Sequence, residues 1–283
     1  VSLVELVVAI VVTGIIAAGV SYFFYPVRQS VDMAARADLT DIADTALQRI
    51  GRDVRLALPN SVRVDPTQKY VEFIALRTAG RYRSDGGGGS QAPDCADDGN
   101  GMPDSDRLAF DVPEGCFKTI GKLPSAVVAG ADQLVLTNYG PGFTGQDAYS
   151  NSPVNRVSIT AFTPQADRDM IQFPATTFQR VLHDSPGKRF FVVTEAVSYG
   201  CDLTAGTLTR YAGYGIPAAQ GTPPAGAASI IATQVSDCTF DYTPNVAPMI
   251  GLLTMRLKLS KAVSSGVPEA VALYHAVHVS NVP

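Results

Sequence analysis

No long basic run occurs in this 283-residue sequence, and its formal net charge is −4. Both facts disfavour nucleic-acid binding, which needs a cationic surface to displace counterions from phosphates. None of the four cysteines forms a CxxC pair or a CxxCH run, which disfavours a zinc ribbon or a c-type haem protein. No GxSxG elbow, HExxH or phosphate-loop signature is present, and the three histidines suggest no catalytic set. His275 and His278 lie in a segment that reads as strand, where odd spacing sends them to opposite faces, and His183 lies in a loop. The expectation is a protein that is not an enzyme. No internal repeat of fixed period is visible.

Charge is scarcest at the N-terminus. Glu5 is the single ionisable side chain of residues 1–27, and Leu6–Val27 carry none. As a helix, those residues would span about 33 Å, enough to cross a hydrocarbon core of about 30 Å. The cluster Tyr22-Phe23-Phe24-Tyr25-Pro26 stands where a secretory signal would have a small-residue cleavage site, and it suits an interfacial aromatic belt. A carboxylate in an apolar segment costs up to about 3 kcal/mol at the helix centre and less near an end. Glu5 therefore needs a cation, yet the nearest cationic side chain, Arg28, is more than about 30 Å away along a helix. The remaining partner is the terminal amine of Val1, its own or a neighbour's. Staggered copies packed side by side would pair each Glu5 with the next chain's amine.

The run Val1-Ser2-Leu3-Val4-Glu5-Leu6 resembles the processed N-terminus of the type IV prepilin superfamily, whose usual form is Phe-Thr-Leu-Ile/Val-Glu. Gly14 falls where family members carry a helix-loosening glycine, and Pro26 stands four residues beyond the family's usual proline. Val in place of Phe at the first position is seen mainly in minor subunits. The resemblance implies cleavage by a prepilin peptidase and N-methylation of Val1.

Residues 28–58 read as amphipathic helix. Val31, Ala35, Leu39, Ile42, Ala46, Ile50 and Val54 recur every three or four residues on one stripe, and Pro59 stops the pattern. Beyond it, short β runs are split by Gly and Pro, at 61–65, 69–77, 107–112, 132–137, 154–162, 189–199, 206–214, 229–235, 238–243, 251–260 and 270–279. Loops at 80–106, 138–153 and 216–228 are long. The expected architecture is α+β: a transmembrane half-helix (1–27), its amphipathic continuation (28–58), and a β-rich head of antiparallel sheets (59–283).

Ser185 to Val193, Val197 to Cys201, Gly206 to Tyr211, Ile42 to Asn60 and the ending Leu273 to Asn281 resemble minor subunits of mannose-sensitive haemagglutinin-type pili. That likeness implies a head related to the J-type minor pseudopilins of type II secretion. It also implies a single-pass inner-membrane subunit of a Gram-negative bacterium, with its head in the periplasm, that later joins an extracellular pilus. The implied partners are other pilin subunits, met through the N-terminal helix, and an inner-membrane assembly platform. No nucleic acid is implied.

An oxidising periplasm makes disulfides the default use of four cysteines, and sequence proximity favours Cys95–Cys116 and Cys201–Cys238, although other connectivities exist. Residues 94–114 hold seven acids and one arginine. Within them Asp98, Asn100 and Asp104 around Gly101 look like a thrombospondin-type calcium loop, with Asp97 and Asp106 as further candidate ligands. Ala96 sits where the first Asp of that pattern would be, and the same residues also suit a solvated acidic turn tied down by Cys95. No cofactor is required by the rest of the sequence.

The expected function is that of a type IV pilin-like structural subunit, a minor pilin that primes assembly or caps the filament tip. The head, residues 59–283, is bulky to repeat at the small rise between family stems. The alternatives are the main repeating subunit, a single-pass anchored periplasmic protein, and a tip adhesin using the 80–106 or 138–153 loop.

Overall fold

The structure, a computed structural model, describes residues 2–83, 95, 106–247, 249–262 and 268–283, with the backbone alone over 21–32. α1 (Leu3–Arg55) is one unbroken helix of 53 residues. Glu5 lies in its first turn and Arg52 and Arg55 in its last, the charge order that complements the helix dipole. Neither Gly14 nor Pro26 interrupts it.

The second half of α1 is held by the head. Ala35, Leu39, Ala46, Ile50 and Val54 of the apolar stripe are buried and Ile42 is half-buried, joined by Ala43, Leu47 and Gly51. The helix closes at Arg55 rather than at residue 58. There Leu58 N–H bonds Ile74 O at 2.8 Å and Leu76 N–H bonds Leu56 O at 2.9 Å, so pairing with a strand takes over before Pro59 can act.

After α1 come β1 (Arg63–Val64), β2 (Tyr70–Arg81), β3 (Pro113–Lys118), β4 (Gln133–Val135), β5 (Arg156–Ser158), β6 (Ala161–Pro164) and β7 (Asp169–Thr177). The short α2 (Arg180–His183) precedes β8 (Arg189–Asp202), β9 (Thr207–Ala212), β10 (Ala227–Thr233), β11 (Val235–Ala247), β12 (Ile250–Lys261) and β13 (Glu269–Ser280). The pairings between these strands are antiparallel, so the coarse expectation of a long helix on a β-rich head holds.

β8 organises the head. One edge pairs with β2 along most of its length. The other edge is shared: β4 takes Phe191–Val193 and β9 takes Ser198–Asp202, with β10 beyond β9. β11, β12 and β13 form a second sheet, and β3, β7 and β6 a third. Alternation along β8 feeds two cores, with Phe190 and Val192 on one face and Phe191 and Val193 on the other. Farther along, Val197, Tyr199 and Cys201 join the main core, where α1 meets the seven-stranded sheet and the β11–β13 sheet.

The differences from the sequence expectation are local. The strand expected at 107–112 lies instead at 113–118, because Asp111 turns the chain at φ 65° and the Glu114 carboxylate accepts the Ala109 N–H. The run expected at 154–162 divides between sheets, β5 pairing with β4 and β6 with β7. β7 was not expected at all.

Candidate assembly surface

Over Leu3–Val20, α1 is covered by no other part of the described chain. Leu3–Val20 has a mean hydropathy of 2.6 and is the one helical stretch among the described residues long and apolar enough to cross a membrane. None of it is buried, and Leu3 is 80% and Ile15 68% exposed. A helix buried in the core of its own protein would pass the same hydropathy test, but here the apolar side chains face outward. The Thr13 hydroxyl donates to Ala9 O at 2.7 Å, so that side chain satisfies itself within the helix. Glu5 and Gly14 line one shallow hollow with Leu6, Ala9, Ile10, Thr13 and Ala17. Val1, whose amine is the expected partner of Glu5, lies outside the described residues, as does the side chain of Pro26.

The head grips the stem at its base. Asp53 accepts a 2.6 Å hydrogen bond from the Tyr199 hydroxyl and lies 3.3 Å from Arg210 Nε. Nearly five turns earlier, Arg36 reaches Glu269 of β13 at 3.5 Å. A Cβ placed on Gly51 would stand 3.1 Å from both His275 Nε2 and Val277 Cγ2, so the helix rides close on β13 there. Below the helix end, Asn60 in the left-handed region (φ 58°) donates through Nδ2 to Asn138 O and Asn281 O. Asn138 in turn donates to Pro59 O and accepts from Ala148 N–H. These asparagines join the helix end, the 138–153 loop and the C-terminus; asparagine is among the few residues at ease at positive φ.

Cys95 pairs with Cys116 and Cys201 with Cys238. The first ties the acidic segment to β3; the second joins β8 to β11, across the two sheets that share the main core.

Of the expected calcium ligands, only Asp106 is among the described residues. Asp97, Asp98, Asn100 and Asp104 lie outside the described residues. Asp106 is turned inward: one oxygen is 2.9 Å from buried Lys118 Nζ and the other 2.8 Å from Arg168 Nη1. A carboxylate already holding two cations does not fit an open divalent-ion shell. Among the described residues no group of three or more His, Cys, Asp or Glu side chains is placed to hold a metal.

Other polar groups with chemical potential are spent on the fold. Glu72 is fully buried, accepts from Arg63 Nε at 2.8 Å, and takes bonds from Ser198 and Tyr214 at 3.1 Å each. Arg63 lies over the Tyr149 ring at 3.7 Å and bonds Pro217 O, which fastens the 216–228 loop. Burial pushes the Tyr149 and Tyr214 hydroxyls above their ordinary range, so both remain neutral donors. His183, expected in a loop, is in α2 and buried, with Nδ1 accepting Gln179 N–H at 2.9 Å and Nε2 2.9 Å from Gly145 O. His275 and His278 are on β13, alternate in facing, and His275 turns toward Gly51.

No family model, curated protein or solved structure matches the chain. Its apolar helix fits membrane anchoring or a signal sequence.

Proposed function

We propose that this chain is a type IV pilin-like structural subunit, held in the inner membrane by α1 and drawn into a filament through it. The supporting observation is the division of one helix. Its first half is apolar, carries a single carboxylate and is uncovered; its second half is clamped into the head. A simple membrane anchor explains the apolar surface but gives Glu5 no role. Packing of stems explains both: once processing leaves Val1 at the terminus, a neighbour's terminal amine supplies a cation that no described residue gives Glu5. Within that class the bulky head and the first-residue valine favour a minor subunit that primes assembly or sits at the tip.

Glu5→Gln keeps the size and polarity of the side chain and removes its charge. Filament incorporation should fall at least tenfold while membrane levels of the chain stay unchanged. Unchanged incorporation would sink the amine-pairing account. Copies per filament, counted by quantitative mass spectrometry, separate the minor from the repeating role; a near-stoichiometric count would overturn the minor assignment.

A further inference from the structure

The exposed face of the second half of α1 carries a register of charges that form no ion pair among the described residues. Asp38, Asp41 and Asp44 are exposed, and so are Arg49, Arg52 and Arg55. Each acid has a base eleven residues on: Asp38 and Arg49, Asp41 and Arg52, Asp44 and Arg55. Eleven residues make about three turns, so each base sits about 20° round from its acid and about 16 Å farther along the axis. Acids and bases therefore share one stripe, in two separate blocks. Local pairing does not neutralise them. Asp44 accepts only from Gln48, at 2.6 Å, and neither Asp38, Asp41, Arg52 nor Arg55 has an ion pair or side-chain hydrogen bond among the described residues. Helices that need surface charge only for solubility commonly place opposite charges three or four residues apart, where they support each other. Here each acid and its matching base are about 16 Å apart, too far to meet within one helix; Arg49 alone has a carboxylate four residues on, Asp53, which Tyr199 and Arg210 already hold.

We infer that this stripe docks a second copy of the chain, lying parallel and displaced by eleven residues along the helix axis. In that register the acid block of one stem faces the base block of the other. With no displacement, acids would face acids and bases bases, at a cost. An antiparallel pair would also match charges, but it would point the two apolar stems in opposite directions, which one membrane does not allow. The inference rests on the structural-subunit reading and does not need the minor-subunit part of it. The displacement differs from that of Glu5, whose pairing with the next Val1 amine needs a shift of about four residues, or about 6 Å. One pair of stems cannot adopt both shifts, so the two contacts belong to different neighbours, and neither substitutes for the other.

The test uses two full-length variants, Asp41→Cys and Arg52→Cys, expressed together in cells and treated with a short bismaleimide. A mixed 41–52 dimer should form at least fivefold more than either same-site dimer. Reversing the remaining acids in the first chain (D38R, D44R) should abolish it, and reversing the remaining bases in the second (R49D, R55D) should restore it. Absence of the mixed dimer, or a 41–41 dimer of equal yield, overturns the register. If the mixed dimer is absent while incorporation still depends on Glu5, the subunit reading stands and the register alone fails. If the mixed dimer forms but Glu5→Gln incorporates normally, the register stands and the amine pairing fails.

Discussion

The Asp53 carboxylate, in the last turn of α1, receives the hydroxyl of Tyr199 from the second half of β8 at 2.6 Å. The ring of Tyr199 is fully buried in the main core, and its hydroxyl is pushed above the ordinary range by burial and by Asp53 itself. This bond holds the base of the stem to the strand that organises the head. Tyr199→Phe keeps the ring and removes the bond. Asp53 is partly exposed, so the expected loss is about 1.5 kcal/mol, the lower end for a bond to a charged group. Hydrogen exchange at the amides of the last helical turn should quicken. Unchanged exchange there would mean that the apolar stripe alone pins the helix end.

Gly51 sets how closely stem and sheet approach. Its missing side chain leaves room for His275 and Val277, both from β13. Gly51→Leu should destabilise the chain by about 1–3 kcal/mol through overpacking, even though leucine is the better helix former by nearly 1 kcal/mol. A rise in melting temperature would show that the helix can lift off β13 without loss.

The Cys201–Cys238 disulfide closes a separation of 37 residues between β8 and β11. The chain-entropy relation gives about 4 kcal/mol for a loop of that length. Cys201→Ser with Cys238→Ser should lower thermal stability by that order, and a reductant should then have little further effect beyond that on the Cys95–Cys116 pair. If the double variant melts with the parent, the other bonds across this junction are sufficient, such as Lys69 Nζ to Cys238 O.

What could be read from the sequence follows from which interactions are local. The stripe from Ala35 to Val54 shows in the sequence because a helix repeats every 3.6 residues whatever it packs against. Its end was misplaced by three residues, since the competing partner, Ile74 of β2, is distant in sequence. β7 was hidden by Pro174, which ordinarily marks a break. In the fold Pro174 lies past the end of the β6 pairing and at a register shift against β3, where a missing N–H costs little. Asp106 looked like a calcium ligand because its neighbours are acidic; its actual partners, Lys118 and Arg168, come from β3 and from the segment before β7. The blocks of charge on α1 were masked by their sum, which is zero over 28–58, until exposure showed that both face outward.

The Lys118–Asp106–Arg168 cluster separates a structural from a metal-binding role. Lys118 is fully buried, and removing the carboxylate it shares with Arg168 is destabilising by about 3 kcal/mol. Asp106→Ala should lower the melting temperature of the detergent-solubilised chain equally with a chelator and with millimolar calcium. A calcium-dependent difference between parent and variant would restore Asp106 to the ligand set.

The pH response should be governed in part by His183. Burial pushes its pKa below the ordinary value, against a smaller upward pull from the Gly145 carbonyl. The neutral ring is the one the hydrogen bonds fit: Nδ1 accepts from Gln179 N–H, so Nε2 carries the proton and donates to Gly145 O. Above the unfolded value, about 6.5, the ring is neutral in both states and costs nothing. As pH falls below it the unfolded chain takes up a proton more readily than the folded one, so stability is lost until the lower folded pKa is reached. The slope cannot exceed about 1.4 kcal/mol per pH unit for a single group. Asp65 adds a separate fall at lower pH. Burial raises its pKa, but hydrogen bonds from the Thr67 side chain and the Tyr70, Thr67 and Lys69 amides outweigh it and leave the value below normal. Its contribution is present above the ordinary carboxylate range and disappears as the carboxylate is protonated. Melting temperature measured from pH 7.5 to 5.5 should therefore fall more steeply for the parent than for His183→Gln, and the two curves should run parallel below the folded pKa of His183. Parallel curves throughout would mean that α2 opens to solvent, with the ring free to charge, before the rest of the head unfolds.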